Sequence, residues 1–230
     1  MFAPAAHAGA LERARNVLWS AETRTGVRSR AGASVELNPP SVRLASILPN
    51  ESMPRGTAVV VAGSAHFLVQ LIGATLASGW VAVVGWPEIN AIALSEAGAD
   101  LEHAVMVPDA RGRSAEVIAA LLDGVDQVVV GPHVALTASE QHQLLARARR
   151  RNNTLLTGRA WENAALRMRV DRATWSGARH GDYWLREVRY DVARQARGDG
   201  RERRFMVSRG ADTVRVEAVR SGARLVSVGA

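Results

Sequence analysis

Between residues 57 and 157, runs of consecutive apolar residues alternate with stretches in which apolar residues recur every three to four positions. The first pattern is typical of strands buried on both faces, and the second is typical of amphipathic helices. Strands that alternate with helices favour a mainly parallel sheet in an α/β fold. The predicted strands are residues 58–62, 81–84, 103–107, 127–130 and 154–157.

Residues at the ends of the helical stretches predict where the helices begin. Pro87 predicts the first turn of the second helix, and Ser114 predicts the N-cap of the third. Thr137 and Glu140 form a T-x-x-E capping box, which predicts a fourth helix through about residue 150.

After residue 159 the apolar period changes from about 3.6 to 2. Leu166, Met168 and Val170 alternate with charged residues, and Tyr190 and Val192 share one strand face in the same way. This pattern predicts an antiparallel sheet with one buried and one exposed face. We expect the exposed face to carry much of the arginine of this region.

The chain divides into an appendage and one domain. Residues 1–43 combine a short amphipathic helix with an Arg-, Gly- and Ser-rich stretch, which predicts an N-terminal helix followed by a flexible linker. Residues 44–230 form the domain, with an α/β core at 44–159 and an antiparallel β extension at 160–230.

Composition narrows the class of protein. Hydrophobic residues make up 47% of the 230 residues, which is enough for a sizeable core. The absence of cysteine excludes disulfides, thiolate metal sites and cysteine nucleophiles, and it fits a reducing compartment. No apolar run reaches the roughly 18 residues of a membrane span, and the start does not resemble a signal peptide. We therefore expect a cytoplasmic protein without membrane contact, for which association with the nucleoid is compatible.

The charge distribution says more about the kind of partner than the overall composition does. The chain has no lysine, so its net charge of +7 comes from 29 arginines against 22 acidic residues. Residues 44–146 have a net charge of −7, whereas residues 147–230 have 20 arginines, 9 acidic residues and a net charge of +11. A basic region of this size favours nucleic acid or an acidic partner surface. The alternative is that these arginines form a solvated surface without a partner.

The segment at 55–136 resembles the core of RecA-like ATPases. Residues 54–63 (PRGTAVVVAG) resemble the entry to the phosphate-binding loop, and residues 81–90 (VAVVGWPEIN) resemble the strand near the catalytic Glu. Residues 125–136 (VDQVVVGPHVAL) resemble the strand that carries a magnesium-binding Asp. The resemblance implies a RecA-like, mainly parallel sheet flanked by helices.

The residues that perform the chemistry of that family do not carry over. A phosphate-binding loop needs a lysine on the phosphates, and this chain has none. Gly131 stands where the magnesium-binding Asp is expected. We therefore interpret this region as a degenerate nucleotide site, and we expect no enzyme activity, no cofactor and no metal. The site comprises Gly63, Ser64, His66, Glu88 and Gly131.

Two histidines flank this degenerate site. His66 follows the first strand and His133 follows the fourth, and in a RecA-like fold these two loops face each other. A metal or anion site is one interpretation. The alternative is that both side chains fill the vacated cleft or face solvent, because no Asp or Glu nearby has the spacing of a metal set.

Several arginines and tryptophans are candidates for contact with a partner. Arginines at the end of a helix also stabilise its C-terminus, which is an alternative role for the first group. Aromatic residues among arginines can stack on single-stranded bases, although they more often belong to a core. The candidates are Arg147, Arg149, Arg150, Arg151, Trp175, Trp184, Arg201, Arg203 and Arg204.

Residues 165–194 (ALRMRVDRATWSGARHGDYWLREVRYDVAR) resemble the ending of the ImuA family, in particular its actinobacterial ImuA′ branch. The resemblance implies an adaptor of DNA-damage-induced mutagenesis in the SOS response. ImuA proteins act with ImuB, a polymerase-like protein of the Y family, and with an error-prone polymerase of the replicative type. Single-stranded DNA and a RecA filament are further candidate partners.

Two other functions fit parts of the sequence. A damage-induced inhibitor of cell division of the SulA type is also RecA-like without ATPase residues, but its members are shorter. A plain DNA-binding module would use the basic C-terminal region, and its affinity would fall steeply with salt.

Overall fold

A computed structural model describes residues 44–76, 79–177, 185–199, 201–210 and 213–219. Nine strands within these ranges form a single sheet. They are β1 (Thr57–Ala62), β2 (Val81–Val84), β3 (Ala104–Val107), β4 (Gln127–Val130), β5 (Thr154–Thr157), β6 (Leu166–Ser176), β7 (Glu187–Ala196), β8 (Arg203–Arg209) and β9 (Val214–Val219). The strand order is β3-β2-β4-β5-β1-β6-β7-β8-β9. The predicted N-terminal helix and linker lie outside the described residues.

The first five strands are parallel, as the apolar runs predict. β2 pairs with β3 and β4, and β5 lies between β4 and β1. Every residue of β2, β4 and β5 is buried, which explains why these strands contain no alternation of polar and apolar residues. β3 begins one residue later than predicted, because Leu101–His103 form a 3₁₀ helix before it.

Four α-helices cover the two faces of the parallel strands. They are α1 (Ala65–Thr75), α2 (Ala91–Glu96), α3 (Ser114–Leu121) and α4 (Ala138–Arg151). Residues of α1 and α2 share a core cluster with Val59 and Val61 of β1, whereas α3 and α4 pack in a second cluster with Ala58 and Val60. The α/β class with a mostly parallel central sheet is therefore confirmed.

Two predicted helix starts are wrong, one by four residues and the other by a single residue. Pro87 lies in a turn, and α2 begins only at Ala91 because the side chain of Asn90 accepts a hydrogen bond from the Ala93 N–H at 2.8 Å. Ser114 is the first residue of α3, and Arg113 precedes it without any side-chain cap. The capping box of Thr137 and α4 is confirmed.

The antiparallel region extends the same sheet. β6 is parallel to β1 on one side and antiparallel to β7 on the other, so it joins the two halves. Leu166, Met168 and Val170 are buried together with Tyr190 and Val192 of β7. The predicted alternation is confirmed, and it gives these strands an inner face toward the core and an outer face toward solvent.

Arg194 connects the segment before β1 to the antiparallel strands. Its side chain is 6% exposed, and its Nη1 donates to the carbonyl oxygen of Ile47 at 2.6 Å. The guanidinium lies 5.2 Å from the centroid of the Phe205 ring. Burial, together with the nearby Arg203, lowers the pKa of Arg194. This buried cation holds residues 44–53 against the inner face of the sheet.

Across the described ranges, none of the helices has the length and apolar character needed to cross a membrane.

Candidate functional site

The turn after β1, where the phosphate-binding loop is expected, packs tightly against β6. Gly63 has a φ of +91°, and a Cβ at this position would collide with the carbonyl oxygen of Val170. The Ser64 side chain caps α1 and accepts a hydrogen bond from the Phe67 N–H at 3.1 Å. The Val170 carbonyl therefore takes the space beside this turn. The Ser64 side chain takes one of the helix N–H groups that would otherwise bind a phosphate.

The ends of β4 and β5 are filled by a residue that the sequence analysis missed. Trp86 follows β2 and is 9% exposed. A Cβ on Gly131 would lie 2.6 Å from the Trp86 Cβ, and a Cβ on Gly158 would lie 3.0 Å from its Cη2. Gly131, in the place of the magnesium-binding Asp, thus leaves room for the backbone of Gly85 and the Cβ of Trp86, while the indole lies beside Gly158. A tryptophan two residues after a buried strand, with glycines directly after two other strands, was the available signal.

Glu88 and His133 come together at the same edge of the sheet. The Nε2 of His133 lies 3.2 Å from Oε1 of Glu88, and both side chains are exposed. Hydrogen bonds from its own backbone N–H and from His133 lower the pKa of Glu88. This pair is an exposed ion pair when His133 is protonated, and in the described ranges no three His, Asp or Glu side chains group closely enough to hold a metal ion.

His66 belongs to a different cluster, so the expectation that it faces His133 is wrong. Its Nδ1 is hydrogen bonded to the hydroxyl of Tyr190 on β7, and its ring centroid lies 5.1 Å from that of Trp175 on β6. Burial lowers the pKa of His66, and the charge of Arg209 lowers it further. Burial also raises the pKa of Tyr190. The short turn after β1 directs the start of α1 toward the antiparallel strands.

The arginines at the end of α4 divide into two pairs. Arg147 and Arg151 both bind Asp123, which follows α3; the Nε atoms lie 3.0 and 3.1 Å from its Oδ1. Hydrogen bonds and charge from Arg147, and the charge of Arg151, lower the pKa of Asp123. Within the described part of the chain, Arg149 and Arg150 make no side-chain hydrogen bond or ion pair. The first pair therefore joins two helices, and the second remains a candidate for contact.

The remaining candidates lie around the antiparallel strands. Trp175 is 46% exposed and packs on His66, whereas Trp184 lies outside the described residues. Arg201 and Arg203 are exposed at the start of β8. Arg204 lies 3.5 Å from Asp171 and 3.3 Å from Glu202, so acidic neighbours already offset its charge.

The outer face of β6 to β9 carries arginine, as predicted. Since residues opposite each other in an antiparallel pair share a face, the strand register assigns each side chain to the inner or outer face. The arginines on the outer face, all exposed, are Arg167, Arg169, Arg172, Arg189, Arg204 and Arg215.

Comparison with known proteins places the α/β core in a family. The uncharacterized protein Rv3395c of Mycobacterium tuberculosis is 37% identical over 120 residues, which cover 51% of this chain and 59% of that protein. The chain thus aligns with less than two thirds of this relative. The family described as MT3502 N-terminal domain matches residues 46–163, which begin before β1 and end after β5. Because the match covers just over half of the sequence, this chain belongs to the MT3502 N-terminal domain family.

Proposed function

We propose that this chain is a non-catalytic adaptor of DNA-damage-induced mutagenesis, with a RecA-like core and a place in the actinobacterial ImuA′ branch of the ImuA family. It assembles in the cytoplasm with an ImuB-like protein of the Y family and with an error-prone polymerase of the replicative type. Together these proteins carry out translesion synthesis, and a RecA filament is a further candidate partner.

The fold and the similar protein agree with this proposal. The turns after β1 and β4 lie at the carboxyl edge of one parallel sheet, where open α/β sheets bind their ligands. A mycobacterial relative is compatible with an actinobacterial family. The Arg-rich antiparallel strands follow the core directly, as the resemblance to the ImuA ending implies.

The observation that carries the proposal is the closure of the nucleotide position by the chain itself. Val170 blocks the turn at Gly63, Trp86 occupies the space beside Gly131, and the sequence has no lysine. These residues do not fit a magnesium nucleotide, because no lysine is available for its phosphates, Gly131 offers no carboxylate for its metal ion, and the Ser64 side chain already caps the helix that follows the turn. A core with the sheet of a RecA-like ATPase but without its nucleotide site supports a role in binding a partner better than a role in hydrolysis.

Co-elution on a sizing column tests the proposal. The chain and the ImuB-like protein from the same organism are purified separately and mixed at moderate salt without nucleotide. We expect a stable complex that elutes before either component. Separate elution, together with binding to a tubulin-like division protein in the same assay, would instead favour the SulA-type function.

A further inference from the structure

One row of outer-face residues runs across all four antiparallel strands without an acidic side chain. The register pairs Thr174 with Arg189, Arg189 with Ser208, and Ser208 with Arg215. We call these four residues the arginine row. Neighbouring residues in such a row lie about 5 Å apart, so the two arginines are separated by about 10 Å. The row therefore presents two guanidinium groups, with two hydroxyl groups beside them.

The arginines of this row are not engaged by the protein. In the described part of the chain, neither Arg189 nor Arg215 makes a side-chain hydrogen bond or an ion pair, and the same holds for the adjacent Arg172. By contrast, Asp171 accepts from Arg169 and lies 3.5 Å from Arg204. The outer face also carries Glu187, Asp191 and Glu217, but in the described part of the chain none of these carboxylates forms an ion pair with Arg189 or Arg215. The two arginines of the row therefore keep donors that no described neighbour uses.

Neither terminal segment supplies a balancing negative charge. Residues 1–43 contain six arginines and three glutamates, and residues 220–230 contain arginine but no acidic residue. Both segments repel a basic face more than they attract it. The charge of this face therefore favours an anionic partner over either terminal segment.

The chemistry of the face favours phosphate over a protein surface. Protein interfaces depend on aromatic or apolar anchors that fill pockets, and among the described outer-face residues the largest apolar side chain is that of Met206. Arginine together with serine and threonine hydroxyls is the set that contacts phosphate oxygens of nucleic acids.

We propose that the outer face of β6 to β9 binds the sugar–phosphate backbone of single-stranded DNA through the arginine row, without sequence preference. This inference deepens the proposed function and rests on it, since an adaptor for copying past lesions works on single-stranded template. The adaptor holds its protein partners elsewhere and contacts the template with this sheet.

Fluorescence anisotropy with a labelled oligothymidylate tests the inference on the full-length chain. The variant R189Q/R215Q removes both arginines of the row and keeps most of each side chain. The control variant R111Q/R113Q removes two exposed arginines near α3, beside the opposite edge strand β3. Circular dichroism melts confirm that each variant is folded.

We expect the variant R189Q/R215Q to bind the oligonucleotide roughly tenfold more weakly than the wild type. Its plot of log affinity against log salt should be less steep by about 1.4, because each neutralised phosphate of a single strand contributes about 0.7 to the slope. The control keeps the wild-type slope, and a duplex of the same length binds more weakly than the single strand. Equal losses in both variants, equal affinity for the duplex, or no binding by the wild type would overturn the inference. So would a concentration-dependent dimer that forms through the row and does not bind DNA.

The same proteins in the co-elution assay separate this inference from the proposed function. A complex with the ImuB-like protein that does not bind the oligonucleotide contradicts only the inference. Binding of the oligonucleotide through the row without any complex contradicts only the adaptor function.

Discussion

Single residues decide what the carboxyl edge of the sheet can hold. The sequence shows Gly131 as a missing acid, but the residues that take its space, Gly85 and Trp86, follow a different strand. Local sequence patterns do not show which strands are neighbours, and the adjacency of β2, β4 and β5 is what brings these residues together. The missing acid could therefore be identified from the sequence, whereas the packing of Trp86 at this edge could not.

Replacement of Trp86 by alanine tests the filling role. A buried tryptophan contributes its transfer free energy, and its loss also leaves a cavity, so we expect Trp86→Ala to lower the free energy of unfolding by about 3–5 kcal/mol. Urea denaturation measures the change. Trp80→Ala is the matched control, because Trp80 is 41% exposed, and we expect it to cost about 1 kcal/mol or less. Similar losses in the two variants would show that Trp86 does not fill a packed site.

His66 predicts a pH dependence of stability. Its pKa is lowered in the folded protein from the ordinary 6.5, so the unfolded chain binds a proton that the folded chain resists. The free energy of unfolding therefore falls as the pH drops below about 6.5, through the folded pKa. The groups that face His66 are Tyr190, Gln70 and Arg209, with Glu96 opposing the shift.

Thermal melts between pH 7.5 and pH 5 measure this effect. We expect the stability advantage of the wild type over His66→Gln to shrink as the pH falls, because the variant lacks the titrating group. His142→Gln, at an exposed position on α4, should follow the wild-type profile. A constant difference between the wild type and His66→Gln across this range would refute the prediction.

For helices and strands, apolar periodicity predicts the element bounds better than the capping residues and prolines at helix starts do. The strands β2, β4 and β5 have the predicted bounds because runs of three or four consecutive apolar or β-branched residues are recognisable without their neighbours. α2 starts later than predicted because two start signals, Pro87 and Asn90, compete within one turn, and the hydrogen bond of Asn90 decides between them. The pairing of β6 with β1 involves a long sequence separation that no local pattern encodes.

The capping box of α4 gives a prediction at this scale. The Thr137 hydroxyl accepts from the Glu140 N–H at 3.3 Å, while the Glu140 carboxylate accepts from the Thr137 N–H at 2.7 Å. Thr137→Ala removes the first bond, and we expect it to cost about 1 kcal/mol in urea denaturation. Ser139→Ala, in the first turn of the same helix but outside the box, should leave stability within about 0.5 kcal/mol of the wild type. Equal effects of the two changes would argue against a role for the cap.

For the whole molecule, the blocked turn and the filled edge predict that nucleotide leaves the protein unchanged. A ligand that binds only the folded state at 100 times its Kd stabilises it by about 2.7 kcal/mol. We expect the Tm to be the same with and without millimolar Mg-ATP in calorimetry, whereas a functional RecA-type ATPase in the same buffer is stabilised. A rise in Tm with Mg-ATP would revive an ATPase function for this chain.

The sheet also sets a distance. Its edge strands β3 and β9 are separated by eight strand spacings of about 4.8 Å, which amounts to roughly 38 Å. A 100-residue domain has a radius of gyration of about 13 Å. Two such domains, one docked beside each edge strand, would be held side by side without collision. The described sheet thus has the width of a spacer between two such domains, and adding or removing a strand would change their separation.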